Sequence, residues 1–179
     1  MLRDPAAARY ARAAFELAVE RNELDAWERD LRNLAAALAM PEAVAFVASR
    51  QVTAEGKEEF LRRAAGELSP LAWNMVRLLN TKGRLTLLPQ IAEHFQELLD
   101  EHRGIAHAQV LTAVAMSDDE KQALTRRLSD LTGKRVDVQA FEAPEIIGGL
   151  VARIGDRLID GSTRTRLIAL KRQLAGATR

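Results

Sequence analysis

The chain has 179 residues, of which 47% are hydrophobic, so it is long enough to bury a core as one medium domain or two small ones. Its 26 basic residues nearly balance its 25 acidic ones, which leaves no global field that attracts nucleic acid or lipid headgroups. The absence of cysteine excludes disulfides, thiolate nucleophiles and cysteine-ligated metals. Its apolar stretches are far shorter than the roughly 18 to 20 residues that cross a bilayer, and the N-terminus lacks a signal-peptide core, so we expect a chain that neither spans a membrane nor is exported.

The first half of the chain has helical periodicity with clear helix start signals. Asp4 is placed to cap a helix that Pro5 opens, and Ser69 stands in the same position before Pro70. Gly83 and Gly104 are expected to end the fifth and sixth helices. The predicted helices cover 5–21, 23–39, a short segment from 41, 53–68, 70–82 and 85–103. Short links between them indicate a compact six-helix bundle.

Beyond Gly104 the periodicity changes to two, which predicts a strand over 105–112. Ser117 and Glu120 form a capping box that starts a helix, and Gly133 is expected to end it. Further strands are predicted over 135–141, 146–154 and 157–159, and a last helix over 163–174. The sequence therefore predicts an α+β protein overall, with an all-α six-helix bundle over 1–104 followed by a small α+β domain over 105–179.

The stretch 145–174 combines four glycines, a strand-like run and a basic helix, so it invites comparison with a phosphate-binding loop. It matches neither of the glycine-rich phosphate motifs. Gly148 and Gly149 fall inside the predicted strand, where paired glycines favour a bulge or a close backbone approach. The functional alternative is anion capture at the start of the last helix, near Arg164 and Arg166. We favour a turn followed by a capped, solvated basic helix, because nothing in the stretch selects a phosphate.

The polar residues of the chain form no catalytic or metal-binding pattern. His94 and His102 are two helical turns apart, whereas a helical metal site needs neighbours three or four residues apart and a third ligand. His107 is predicted to be a partly buried structural histidine on a strand. A triad of Ser162, Asp160 and His107 lacks the nucleophile-elbow sequence. We therefore predict no catalytic residues, no metal site and no cofactor.

The first helix is more apolar than an outer helix of a bundle requires. Its charged residues fall on one stripe at about 100° per residue, and alanines with Tyr10 and Leu17 cover most of the remaining surface. The fifth helix is interrupted only by Asn74, Arg77 and Asn80. Two such helices side by side would form a groove for an amphipathic partner helix. The alternative is that both helices are central in the bundle.

Three stretches and Trp27 carry a resemblance to a known family along essentially the whole chain. The stretches are "ARYARAAFELAVE", "KGRLTLLPQI" and above all "IIGGLVARIGDRLIDGSTRTRLIALKRQL". They resemble the delta subunit of bacterial F-type ATP synthase, whose mitochondrial counterpart is the oligomycin-sensitivity-conferring protein. Thr163 stands where that family more often has an aliphatic residue. The resemblance marks as structural signature positions Gly148, Gly149, Gly155, Asp156, Asp160, Gly161 and Ser162.

The resemblance implies a non-catalytic stator subunit of a proton-translocating ATP synthase, present in one copy per complex. Such subunits have an N-terminal six-helix bundle and a C-terminal α+β domain, bind no nucleotide, and link the catalytic head to the peripheral stalk so that rotary torque is resisted during ATP synthesis. Their location is the cytoplasmic face of the bacterial inner membrane, with peripheral association through the complex only.

The implied partners are the N-terminal helix of an alpha subunit and the C-terminal helices of the b subunits, with no nucleic acid. The alpha helix would lie between the first and fifth helices of the bundle. For the b subunits, the strand from Ile146 and the last helix are the candidates. The residues that map onto the implied groove are Tyr10, Ala13, Ala14, Leu17, Met75, Val76 and Leu79.

A second hypothesis is an RNA-binding or ribosome-associated module that uses the mildly basic C-terminal domain. Such a module needs a clustered basic face with aromatic platforms on which bases stack. Phe141 is the only aromatic residue beyond residue 105. The composition therefore argues against this second hypothesis.

Overall fold

The computed structural model describes residues 4–143, 148–155, 157–161 and 163. The chain divides into two compact units, Met1–Leu99 and Asp100–Arg179. This division lies a few residues before the predicted boundary at Gly104. The described residues form helices in the first unit and a mixed helix and sheet structure in the second, so the protein is α+β.

Local capping signals set the helix ends in the first unit. The Asp4 carboxylate accepts a 2.8 Å hydrogen bond from the Ala6 amide, directly before the proline that opens α1. The fourth helix ends before Gly66, at a φ of 74°, and thus three residues earlier than predicted. The sixth predicted helix begins as a short 3₁₀ turn, Leu85–Leu87. The α-helices are α1 Pro5–Arg21, α2 Leu24–Ala37, α3 Pro41–Ala48, α4 Ala54–Ala65, α5 Pro70–Thr81 and α6 Leu88–His102.

The core of the first unit is built around aromatic rings from three helices. The Phe95 ring packs edge to face on Phe15, with centroids 5.8 Å apart, and lies nearly parallel to Trp27 at 6.4 Å. Ala7, Ala11 and further small residues of α1 are fully buried against this cluster. Small side chains allow α1 to approach its neighbours closely, which explains why so apolar a helix contains so few large core residues.

The second unit is a four-stranded sheet with one helix packed on it. Its elements are β1 Ile105–Thr112, α7 Asp118–Thr132, β2 Arg135–Glu142, β3 Leu150–Ile154 and β4 Arg157–Asp160. The strand order is β2-β1-β3-β4; β1 and β2 are parallel through the α7 crossover, and the other pairs are antiparallel. Leu124 and Leu128 of α7 cover the sheet face that carries Val110, Val136 and Val138.

The predicted strand over 146–154 is shorter in the structure, because Gly148 and Gly149 precede β3 instead of lying inside it. The Thr163 amide donates a 2.9 Å hydrogen bond to the Gly148 carbonyl, and a Cβ on Gly148 would lie 2.8 Å from the Thr163 hydroxyl. A side chain at position 148 would displace the Thr163 hydroxyl, so the close approach of these two segments favours glycine there. Gly161 similarly donates to the Leu150 carbonyl at 2.9 Å. Asp156, Ser162, Ile146, Arg164 and Arg166 lie outside the described residues, as does the rest of the predicted last helix.

The His107 side chain, on β1, lies between two carboxylates of the second unit. Its Nε2 lies 2.8 Å from a carboxylate oxygen of Asp100, in the last turn of α6, and its Nδ1 lies 3.6 Å from Asp137 on β2. The hydrogen bond to Asp100 raises the pKa of His107 above 6.5; burial opposes this change, and the charges of Asp100 and Asp137 add to it. The side chain is half exposed, so this histidine is less enclosed than its position in the sequence predicted.

We expect the stability of the second unit to fall as the pH rises through the raised pKa of His107. Because the folded-state pKa exceeds the unfolded value of about 6.5, the stabilisation is complete below that pH and is lost above the folded-state pKa. Hydrogen exchange of the β1 and β2 amides in the full-length chain, measured between about pH 6 and 9 and corrected for intrinsic rates, would show this loss of stability as faster exchange at higher pH. His107→Gln should remove this pH dependence; an unchanged profile in that variant would assign it to other groups.

Among the described residues, no single helix is long and apolar enough to cross a membrane. The consecutive helices α2 and α3 pass that test only as a pair, and they are bent by 94° relative to each other.

Candidate functional site

An open, apolar groove of about 250 Å³ lies between α1 and α5 in the first unit. One wall is the i, i+3, i+4, i+7 face of α1, and the other is the corresponding face of α5. Helical periodicity therefore aligns each set of side chains along one line. The lining residues are Tyr10, Ala13, Ala14, Leu17, Trp27, Leu71, Asn74, Met75 and Leu78.

Five of the seven residues assigned to the groove from the sequence lie along it, namely Tyr10, Ala13, Ala14, Leu17 and Met75. The other two, Val76 and Leu79, have no exposed surface and belong to the core of the first unit. Leu71, Asn74 and Leu78 line the α5 wall in their place. Each of the two helices thus contributes some side chains to the core and others to an open groove. The sequence had left open whether these helices are central in the bundle or form a groove, and both descriptions apply in part.

The groove exposes apolar surface that the described part of the chain does not cover. Leu78 is 47% exposed, Ala13 is exposed, and Tyr10 and Leu17 are half-buried. Trp27 lies at the groove with only 2% exposure, and its indole N–H has no hydrogen-bond acceptor among the described residues. A row of small and large apolar side chains between two helices is the surface that an amphipathic helix recognises.

The start of α5 is fixed by a buried carboxylate on α2. Asp30 is fully buried, and one of its carboxylate oxygens accepts a 2.8 Å hydrogen bond from the Ser69 amide. Its other oxygen accepts from the Arg29 guanidinium at 3.2 Å. Ser69 is the N-cap of α5, and its hydroxyl accepts a hydrogen bond from the Ala72 amide. Asp30 therefore determines where the α5 wall of the groove begins.

The opposite end of α5 contacts α1 through a tyrosine and an arginine. The Nη1 of Arg84 donates a 3.3 Å hydrogen bond to the Tyr10 hydroxyl. Arg84 follows the end of α5 and Tyr10 lies near the start of α1, so the two helices run in opposite directions along the groove. The Asp4 amide also donates to the Gln90 side chain at 3.1 Å, which ties the start of α1 to α6.

Sequence reasoning missed the roles of Asp30, Arg84 and Leu78. Asp30 had a visible signal, because it lies on the apolar stripe of α2 between Trp27 and Leu34, where a charge needs a buried partner. Arg84 gave no local signal, since its contact lies 74 residues away.

Two larger cavities occur elsewhere in the described residues. One, of about 500 Å³, lies beside Trp73, whose ring is covered by the Arg62 guanidinium at 4.9 Å. The other, of about 600 Å³, lies in the second unit between α7 and the segment that precedes β3. No group of three potential metal ligands occurs among the described side chains. The His94 Nδ1 lies 3.0 Å from a Glu97 carboxylate oxygen on the same helix, but these two residues belong to no such group of three.

The sequence profile of the family described as ATP synthase delta (OSCP) subunit matches residues 6–174 of this chain. Relatives named ATP synthase subunit delta include one from Desulfitobacterium hafniense strain Y51, 36% identical over 99% of this chain and 100% of its own length. Another, from Methylobacillus flagellatus, is 38% identical over 93% of this chain and 94% of its own length. A third, from Dehalococcoides mccartyi strain 195, is 34% identical over 94% of this chain and 93% of its own length.

The fold itself also has a solved counterpart. A chain in the cryo-EM structure of the Toxoplasma gondii mitochondrial ATP synthase hexamer superposes with a TM-score of 0.69, covering 96% of this chain and 98% of that chain. The two are 23% identical, so this match concerns the fold alone.

The fold and the groove define a two-unit α+β protein whose candidate site is a surface for a helix, without a catalytic cluster among the described side chains. By the match over nearly its full length, the chain belongs to the ATP synthase delta (OSCP) subunit family.

Proposed function

We propose that this chain is a non-catalytic stator subunit of an F-type ATP synthase that links the catalytic head to the peripheral stalk. The match to the family over residues 6–174 is the observation that carries this function. The family is a structural subunit without a catalytic site of its own, and the chain is not an enzyme. It associates with the membrane-bound complex.

The groove is the proposed site for the N-terminal helix of an alpha subunit. In this proposal the six helices of the first unit act as one bundle that binds the catalytic head. The support is physical: apart from Asn74 the groove walls are apolar, each wall covers about two helical turns, and exposed Ala13 lets a second helix approach closely. Each well-buried large apolar side chain of that helix would contribute about 1.5–3 kcal/mol before ordering costs.

The second unit is the proposed site for the C-terminal helices of the b subunits. This assignment rests on the family resemblance, and the strand from Ile146 and the last helix remain the candidate contacts. With one copy of the chain per complex, the subunit would lie on the cytoplasmic face of the bacterial inner membrane, held there only through the complex.

The mechanism proposed for this subunit is mechanical. The turning rotor exerts torque on the catalytic head, and the head would rotate with it unless a stator resisted the motion. A protein in this position acts through the free energy of its two interfaces and through its stiffness. Each unit has its own core of buried hydrophobic residues, which is consistent with that role.

The alternative of an RNA-binding module gains no support. Phe141 is exposed on the sheet face, yet it is the only aromatic residue beyond position 105, so a base-stacking platform is missing. The family match also points to a different function.

We expect membranes from a strain that lacks this chain to lose ATP synthase activity on washing, because the head detaches. Adding back the purified chain together with isolated head should restore head binding in a sedimentation assay, and coupled ATP synthesis with it. Heat-denatured chain serves as the control. If the head remains bound to washed membranes that lack this chain, the stator function is wrong.

A further inference from the structure

One end of the groove carries a positive charge that the fold holds in place. Arg84 is exposed, lies beyond Lys82 and Gly83 after the end of α5, and donates from Nη1 to the Tyr10 hydroxyl at 3.3 Å. A guanidinium has five N–H donors in a planar fork. Within the described residues, no carboxylate lies within ion-pair distance of Arg84, so most of its donors have no protein partner there.

Apart from the Asn74 amide, the remainder of the groove lining is apolar and carries no charge. At its middle are Ala13 and Met75, and at its far end are Leu17 and Leu71. A helix that places an apolar stripe along these residues brings one of its ends next to Tyr10 and Arg84. A carboxylate at that end would lie beside the guanidinium at the edge of the apolar contact. A bidentate ion pair there would increase the affinity and also favour one orientation of the docked helix along the groove.

We propose that Arg84 is a specificity-determining residue of the groove, which binds an aspartate or glutamate side chain of the docked helix and so fixes the direction in which that helix lies. This inference rests on the proposed function of the groove as a helix-binding site. Tyr10 acts as a positioning residue, because its hydroxyl holds the guanidinium at the groove end while its ring forms part of the wall. An apolar groove alone would accept a helix in either direction.

The probe is a synthetic peptide of the first roughly 20 residues of the cognate alpha subunit, titrated calorimetrically into the full chain at two salt concentrations. Arg84→Gln should weaken binding by about fivefold and reduce its salt dependence. Arg12→Gln is the matched control, since Arg12 is exposed on α1 and does not line the groove; its affinity should equal that of the wild type. Tyr10→Phe should cause a smaller loss than Arg84→Gln.

Peptides in which each acidic residue is changed in turn to its amide identify the contact. For the wild-type chain, one of these peptides should bind about fivefold more weakly than the unmodified peptide. For the Arg84→Gln chain, that same peptide and the unmodified peptide should bind with equal affinity. Wild-type affinity in a folded Arg84→Gln chain overturns the inference and leaves the groove assignment intact. Equal losses in Arg84→Gln and Tyr10→Phe, with no coupled peptide residue, also overturn it, because Arg84 would then act only through the tyrosine. A peptide that does not bind the wild-type chain overturns the groove assignment and this inference together.

Discussion

Ala13→Glu is expected to weaken binding of the alpha-subunit peptide by about tenfold to a hundredfold while leaving the first unit folded. Ala13 is exposed and lies in the middle of the α1 wall, so a docked helix would have to bury the new carboxylate without an evident partner. Burying an unsatisfied polar group costs about 1–3 kcal/mol in proteins, and each 1.4 kcal/mol is a factor of ten in affinity.

The stability of the variant separates binding from folding. Glutamate and alanine both favour helix, and an exposed substitution of this kind changes the free energy of unfolding by about 0.5 kcal/mol or less. Ala14 is a less suitable position, because it is only 5% exposed and a glutamate there would also disturb the core. Calorimetry of the peptide and thermal unfolding of the chain therefore have to be measured together.

Ala8→Glu is the matched control for this experiment. It introduces the same side chain at another exposed position of α1 that does not line the groove, so the affinity for the peptide should not change. Ala13→Leu adds bulk without charge and should also weaken binding, because the alanine is what allows a close approach. If folded Ala13→Glu binds the peptide as the wild type does, the helix does not lie in this groove.

The starts of three helices could be predicted because their signals are local. Asp4, Ser69 and Ser117 each cap a helix with their own side chains, within three residues of the helix start. The Ser117 capping box is complete, with the Glu120 carboxylate accepting from the Ser117 amide at 2.9 Å. This hydrogen bond lowers the pKa of Glu120. Such interactions do not depend on the rest of the fold, so the sequence alone determines them.

The facing of α5 could not be predicted, because the helix is apolar on most of its circumference. Periodicity distinguishes a buried face from an exposed one only where polar residues mark the exposed side. Val76 and Leu79 therefore looked equivalent to Leu71 and Leu78, although the first two are in the core and Leu78 is largely exposed. Packing against the other helices determines which of these side chains are buried.

The basic end of the groove was likewise invisible in the sequence, since it depends on bringing together residues 10 and 84. The paired glycines show a related limit. Their place in a β-like run predicted that they lie inside a strand, but the close approach of Thr163 to Gly148 starts the strand after them. Long-range contacts override local pattern wherever two segments compete for the same space.

Asp30→Ala is expected to lower the free energy of unfolding of the first unit by about 1.5–3 kcal/mol, the usual worth of a buried hydrogen bond to a charged group. The substitution removes the buried acceptor of the partly buried Ser69 amide, which then loses this partner. It also frees the start of α5, one turn from the groove residues Leu71 and Asn74. We therefore expect weaker peptide binding in addition to lower stability.

Urea unfolding followed by tryptophan fluorescence measures this effect, because Trp27 and Trp73 are the only tryptophans and both lie in the first unit. Asp25→Ala is the matched control: it makes the same substitution at an exposed position of α2 and should cost less than about 1 kcal/mol. Asp30→Asn keeps an acceptor for Ser69 and should lie between the two. Equal unfolding free energies for Asp30→Ala and Asp25→Ala would mean that the buried carboxylate does not hold α5 in place.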